Sequence, residues 1–448
     1  MLLLDLITLL YYIYIIKNGV GGHFMERKIT SFLKRWKEDE NRKPLVVYGS
    51  KQVGKTYTVL KFGEENYSNV VYIDANDNRV LKEALKKQNT IDGIISKLSE
   101  ISEQEITKND TLVVMDNLND VDIVNTIKTI GKFKNEYHVI LITSLRDNLN
   151  KFKGVELQFK SMLPMDFEEY LDAVGKGELV DFIKNSFKNN TKMPFHKVAM
   201  EYFNSYIVTG GMPEAVALSI RDNNKLLQNS IFDKIIDSYR KEIALQDNLI
   251  DISRSYEVYD SISYQLLKSN KKFQYGLIKD GGRSKEYENS LTFLHNNGFI
   301  YKCYKLDDVK SPISNFKDKD NFKVYMNDTG LLYKKLKINE GIFNNHVFIK
   351  SVLYENSVAI SLISAGYNLY YYQSEGKAFI DFVIQTKGGN IVPIELVPFN
   401  KTKSKALSVY INKYKPNEAI RVTQDNFCIK KGVRYIPMYA TFCLSELV

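Results

Sequence analysis

Gly49-Ser50-Lys51-Gln52-Val53-Gly54-Lys55-Thr56 decides how this chain is read. The octapeptide fits G-x-x-x-x-G-K-[ST], in which a loop between a strand and a helix turns its backbone N–H groups toward phosphate. Both flanks have the required character. Leu45–Tyr48 is a short apolar run suited to a buried parallel strand, and the pattern through Thr58–Phe62 predicts a helix. Gly49 and Gly54 permit the tight turn. Ser50, Lys51, Gln52 and Val53 lie between them, where successive N–H groups meet a helix N-terminus whose dipole favours anions. Lys55 is the point charge for the β- and γ-phosphates, and Thr56 offers its hydroxyl to Mg²⁺. The expectation is a site for ATP with Mg²⁺.

Such a loop needs a carboxylate on a neighbouring strand to hold the magnesium. Asp116 ends the apolar run Leu112-Val113-Val114-Met115 and is predicted to fill that role. The next residue, Asn117, stands where additional-strand ATPases usually carry a Glu that polarises the attacking water. An amide orients water but accepts no proton, so binding and hydrolysis are separate expectations. Glu136 and Asp120 are candidates to compensate. The following strand, His138–Ile142, ends in Thr143-Ser144, polar groups suited to sensing the γ-phosphate or the water. Lys55, Asp116, Asn117 and Thr143 are therefore the candidate catalytic groups.

At 448 residues the chain calls for two to four domains. Hydrophobic residues at 44% and charged residues at 26% are globular values, which excludes a disordered or fibrous chain. The net charge of +9 comes from Lys spread along the chain and interleaved with acid, so a polyanionic partner is permitted but not required. Cys303, Cys428 and Cys443 show no metal-ligand spacing, which points to a reducing, cytoplasmic setting without disulfides or zinc. Leu2–Ile16 is apolar apart from Asp5, yet shorter than the ~20 residues a spanning helix needs. No Lys or Arg precedes it, unlike a secretory signal. Residues 1–24 read as a start-site extension. The functional chain is expected to open at Met25 with the helix Glu26–Glu40, whose Ile29, Phe32, Leu33 and Trp36 form one stripe.

Residues 25–164 alternate β-rich and helical runs, with strands expected at Leu45–Tyr48, Val70–Ile73, Leu112–Met115, Val139–Ile142 and Val155–Phe159. Residues 165–250 are helical in pattern, interrupted by Gly210-Gly211-Met212-Pro213. In 251–345, three helices precede β-like runs around Phe299–Leu306 and Phe322–Met326, the outline of a winged helix. Residues 346–448 give a helix, Phe348–Ala365, and then five short strands, a second α/β unit. No membrane span is expected.

Arg42-Lys43-Pro44-Leu45-Val46-Val47-Tyr48 running into the loop resembles the opening of bacterial and archaeal AAA+ ATP-binding proteins that carry a C-terminal domain of unknown function. Leu163-Pro164-Met165-Asp166-Phe167-Glu168-Glu169-Tyr170, Thr209-Gly210-Gly211-Met212-Pro213-Glu214 and Tyr325-Met326-Asn327-Asp328-Thr329-Gly330-Leu331-Leu332 agree with it in order. The resemblance implies an α/β P-loop AAA+ core, a helical lid, a winged helix and a C-terminal fold similar to restriction-type nucleases. In that last fold Glu355, Asp381 and Glu395 stand at the acidic positions. Val397 replaces the expected Lys, and Phe379 stands where many relatives carry a Glu, so nuclease activity is not expected. The predicted helix Ser284–Asn296, with Lys268, Lys271, Lys272, Lys279, Arg283 and Lys285 around its start, is a candidate DNA contact. Arg146 and Arg240 are candidate arginine fingers for a homo-oligomeric site. Two functions stay open: an ATPase driving a conformational cycle on a protein or DNA partner, or a nucleotide-dependent switch that hydrolyses little.

Overall fold

The computed structural model describes residues 25–75, 90–117, 128–130, 136–144, 154–221, 225–374, 378–397 and 405–447, together with 81, 83, 85 and 88. The expected extension at 1–24 lies outside these residues. The chain divides into two compact units between Leu163 and Pro164, with Asn296–Gly298 grouped in the first.

The first unit is built on five parallel strands, β1 (Leu45–Tyr48), β2 (Asn69–Asp74), β3 (Thr111–Asp116), β4 (His138–Thr143) and β5 (Gln158–Ser161), in the order β2-β3-β4-β1-β5. Every residue of β3 and β4 is buried, as central strands covered on both faces require. β5, at the edge, alternates half-buried and exposed positions. It starts three residues later than the apolar run Val155–Phe159 suggested, because its register is set by pairing Gln158 with Leu45. Helix α1 (Lys28–Glu38) buries Ile29, Leu33 and Trp36. Helix α2 (Lys55–Asn66) follows the loop, and α3 (Ile91–Ser102) is capped by the Thr90 hydroxyl, which accepts the Gly93 N–H at 3.2 Å. Ile94, Ile95 and Leu98 of α3 join one core with Val46, Val71, Val113 and Val139 of the sheet.

The second unit begins with helices α4 (Phe167–Ala173), α5 (Gly177–Asn189), α6 (His196–Thr209), α7 (Pro213–Arg221), α8 (Lys225–Ile243), α9 (Leu249–Leu266) and α10 (Ser284–Asn296). Strands β6 (Ile300–Leu306) and β7 (Lys317–Met326) form an antiparallel hairpin. Then come α11 (Thr329–Lys335), α12 (Glu340–Asn345) and α13 (Val347–Ser364), strands β8 (Tyr370–Gln373), β9 (Phe379–Gln385) and β10 (Ile391–Val397), α14 (Ala406–Tyr414), and strands β11 (Ile420–Thr423), β12 (Cys428–Lys430) and β13 (Val433–Pro437). Among the described residues α13 is the one helix long and apolar enough to cross a membrane, and its Val352–Leu362 is continuously buried within this unit.

The hairpin pairs across the expected boundary at 345/346. β6 pairs in parallel with β8, so the eight-stranded sheet runs β12-β13-β11-β10-β9-β8-β6-β7 and the would-be wing is its edge. The parallel pairing of Tyr304–Leu306 with Tyr370–Tyr372 spans α11 to α13, a connection that local periodicity does not reveal.

The family-like stretches of this unit meet at one junction. The Asp328 carboxylate caps α11 by accepting the Leu331 N–H at 2.9 Å and also accepts the Gly211 N–H at 2.6 Å. Gly211 O accepts the Met165 N–H at 2.7 Å, and the Tyr206 hydroxyl donates to Met165 O at 3.0 Å. A Cβ at Gly211 would stand 1.9 Å from Met165 O, which no side chain tolerates.

Candidate nucleotide site

The glycine-rich loop leaves the C-terminal end of β1, and in a parallel sheet Asp116 and Thr143 end β3 and β4 at that same edge. The loop passes hard against β5: Met162 N–H donates to Tyr48 O at 2.8 Å, and a Cβ on Gly49 would lie 2.0 Å from Met162 O. Gly54, at φ +92°, opens α2 from the left-handed region, where a side chain is strained. Ser50 and Lys55 are buried. The Lys55 ammonium donates to Gly49 O at 2.7 Å and to Ser50 O at 2.9 Å, so it lies across the loop it is expected to serve.

Thr56 and Asp116 are brought into direct contact: the Thr56 hydroxyl donates to Asp116 Oδ2. The Asp116 carboxylate also accepts the Asn117 N–H at 2.6 Å and the Tyr72 hydroxyl at 3.4 Å. Burial pushes the Asp116 pKa up, against the lowering effect of these bonds and of Lys55. The hydroxyl–carboxylate pair beside a buried ammonium suits Mg²⁺ carrying phosphate oxygens. Two buried polar atoms, Gln52 Oε1 in the loop and Ser144 Oγ after β4, find no hydrogen-bond partner among the described residues. They add to the fit, because buried groups of this kind are ordinarily satisfied, and a bound ligand would satisfy them.

Asn117 takes the left-handed conformation, φ +56°, which Asn tolerates better than most residues. Its side-chain amide donates to Asp74 Oδ1 at 3.0 Å. Asp74 ends β2 directly opposite Asp116 in the register. The sequence reading missed Asp74, although a strand ending in Asp was visible in Val70-Val71-Tyr72-Ile73-Asp74. It also missed Arg27, whose guanidinium donates to Val53 O and to Leu163 O, both at 2.7 Å, and so pins the loop from the start of α1. Nothing local to Arg27 signals this.

Other expected residues are placed elsewhere. Glu136 does not compensate for Asn117: it precedes β4, at the opposite edge of the sheet, and pairs with Lys108 at 2.7 Å. Asp120 and Arg146 lie outside the described residues. Arg240 pairs with Asp260 at 2.7 Å between α8 and α9. Among the basic residues near α10, Lys271 turns inward onto Glu355 and is not a phosphate contact. Arg283 and Lys285 line an open hollow with Tyr275 and Asp320. Glu355, Asp381 and Glu395 lie on α13, β9 and β10, each engaged by groups of this chain.

The fold and this loop define a P-loop ATPase domain of the AAA type. A family model described as AAA domain matches residues 41–171. Two further models, Domain of unknown function (DUF8612) and Domain of unknown function (DUF4143), match residues 200–341 and 350–441. With an AAA domain toward the N-terminus and a domain of unknown function toward the C-terminus, the chain is similar to AAA+ ATP-binding proteins of that arrangement. No curated protein matches it. Among solved structures it is similar to a Walker-type ATPase of Pyrococcus abyssi, with 14% identity, 70% of this chain and 96% of that one covered, and a TM-score of 0.44. It is also similar to a signal transduction ATPase with numerous domains and a tetratricopeptide repeat sensor from Pyrococcus horikoshii (15%, 77% and 46%, 0.29), spanning about half that chain. A third is the Aeropyrum pernix Orc1 protein in complex with DNA (12%, 73% and 92%, 0.26).

Proposed function

We propose that this protein binds ATP with Mg²⁺ at Gly49–Thr56 and hydrolyses it to drive a conformational change on a protein or DNA partner. The observation that carries the reading is the convergence of Lys55, Thr56 and Asp116 at one edge of the parallel sheet. Lys55 would leave its loop carbonyls to meet the phosphates, while Thr56 and Asp116 would hold the metal. Magnesium, when bound, neutralises charge developing on the phosphate oxygens. Asn117, fixed by Asp74, orients the attacking water, with Thr143 as the sensor at the end of β4. Arg283 and Lys285 at the start of α10 supply the charge for a DNA partner. Three cysteines without metal-ligand spacing suit a cytoplasmic setting.

The second reading, a switch that holds ATP with little turnover, rests on Asn117 standing where a proton-accepting carboxylate is usual. Purified protein decides. Equilibrium binding of ATP that vanishes in Lys55→Ala supports the site, and its persistence in that variant rejects it. Steady phosphate release that stops in Asp116→Asn supports the ATPase; tight binding without release selects the switch.

A further inference from the structure

Three carboxylates at positions that the resemblance associates with a nuclease-like metal site lie on α13, β9 and β10, and each already has its own cation or N–H donor. Glu355 is buried on α13. Its Oε1 accepts the Tyr325 hydroxyl at 2.6 Å and the Lys323 ammonium at 3.2 Å, and its Oε2 accepts Lys271. Lys323 comes from β7, with its side chain 1% exposed, and donates as well to the backbone oxygen of Asp381 at 3.2 Å. The rings of Tyr325, Tyr371, Phe379 and Phe382 surround its Nζ at 5.1–5.5 Å. Phe379, the residue that replaces an acidic side chain, is thus a wall of the lysine's cage. Asp381 Oδ2 accepts the Leu396 N–H at 2.8 Å. Glu395 is paired across β10 and β11 with Arg421, whose Nε lies 2.7 Å from Oε2, and Arg421 is fixed in turn by the Tyr435 hydroxyl at 2.6 Å.

The charges close without help. Glu355 is paired with both Lys271 and Lys323 and Glu395 with Arg421, while burial and Glu355 push the Asp381 carboxyl up to about 6 against the lowering effect of Lys323 and the Leu396 N–H. Burial alone would raise the Glu355 pKa, yet Lys271 and Lys323 outweigh it and hold the carboxyl well below its ordinary range. Burial would lower Lys323, and Glu355 reverses that. A divalent metal entering here would add two charges and would have to expel an ammonium from a cage closed by four rings. Parting a buried ammonium from its carboxylate strands a charge away from water, which opposes that exchange. The residues present do not fit a metal.

We propose that Lys323, with Lys271, is the built-in counter-ion of this acidic cluster and occupies the place a divalent metal would take, so that the sheet is complete without metal and does not cut nucleic acid. The lysine absent at position 397 is not restored as a catalytic group: Lys323 is sealed from substrate and ties α13 to β7 and β9.

Hydrogen exchange of the full-length chain, read in peptides covering β7, α13 and β9, tests this. In the wild type, Mn²⁺ or EDTA leaves exchange there unchanged. Lys323→Met raises it about tenfold or more, and adding Glu355→Leu, which removes the buried carboxylate left with Lys271 and Tyr325 alone, recovers most of the protection. Lys323→Ala, with the cage opened, gains Mn²⁺-dependent protection in the same peptides. Protection of the wild type by Mn²⁺, nicking of plasmid DNA that is lost in Asp381→Ala, or Lys323→Met exchanging like wild type would each overturn the proposal. If Lys323→Met fails to fold, its rescue by Glu355→Leu still decides, since a purely steric defect would not be rescued.

Discussion

The Asp328 carboxylate accepts the Gly211 N–H at 2.6 Å, joining residues 117 positions apart in the chain. The same carboxylate caps α11, and the Gly211 carbonyl in turn holds Met165. Gly211→Ala would push a methyl into Met165 O and is expected to lower stability by roughly 2–4 kcal/mol. Asp328→Ala leaves the buried Gly211 and Leu331 N–H groups without their acceptor, at about 1–3 kcal/mol each. Urea titration followed by circular dichroism checks both; an unshifted midpoint in either would show that the junction is not a fixed point of this unit.

Arg27 spans two loop carbonyls that are otherwise far apart in sequence, Val53 and Leu163. Its planar fork suits that geometry, and a lysine reaches only one carbonyl at a time. Arg27→Ala is expected to weaken ATP binding by about tenfold through a loosened loop, and Arg27→Lys to restore only part of it. Titration with a fluorescent ATP analogue measures this directly. Wild-type affinity in Arg27→Ala would mean that the loop holds its shape alone.

Placing a Glu at Asn117 is the obvious route to faster hydrolysis from sequence. The structure predicts otherwise. Position 117 sits at φ +56° and its side chain donates to Asp74, so a glutamate would meet backbone strain and a like charge. Asn117→Glu is expected to leave phosphate release at or below the wild-type rate. Asp74→Ala, which frees the Asn117 amide, should lower turnover by about tenfold with ATP affinity within about threefold. A faster Asn117→Glu enzyme would show that the Asp74 contact does not hold in the working state.

His138 gives the first unit a pH dependence of known sign. Arg42 can only donate, so His138 Nε2 accepts from it, and Nδ1 carries the proton toward the Tyr67 hydroxyl at 2.7 Å. Burial, then Arg42 and Lys37, lower its pKa from 6.5 to about 4. The unfolded chain protonates first, so this contribution is full above pH 6.5 and is lost as pH falls toward 4. Trp36, whose ring lies edge-on to His138 at 6.1 Å, is the chain's single tryptophan and reports the change by fluorescence. In His138→Phe the loss of stability between pH 6.5 and 4 should be smaller than in wild type; an equal loss would assign it to other groups.

The sequence by itself determined what is local. A buried strand, two glycines, a lysine and a threonine in consecutive order specify a phosphate loop, because strand, turn and helix N-terminus are all encoded within a dozen residues. Asp116 was legible for the same reason, as a polar end to an apolar run. Only the tertiary structure decided which distant groups meet them. Arg27 reaches the loop from a preceding helix, Asp74 reaches Asn117 across a strand pair, and Glu136 falls at the wrong edge because β4 runs parallel to β3. In the second unit the apparent wing became a sheet edge, and of the acidic residues of a nuclease-like pattern Glu355 and Glu395 became ion pairs while Asp381 took a backbone N–H. Lys323 stands 32 residues from Glu355 and 58 from Asp381. Register and burial, which one-dimensional spacing does not contain, turn Glu355 from a candidate metal ligand into the partner of a caged lysine that also holds the Asp381 backbone.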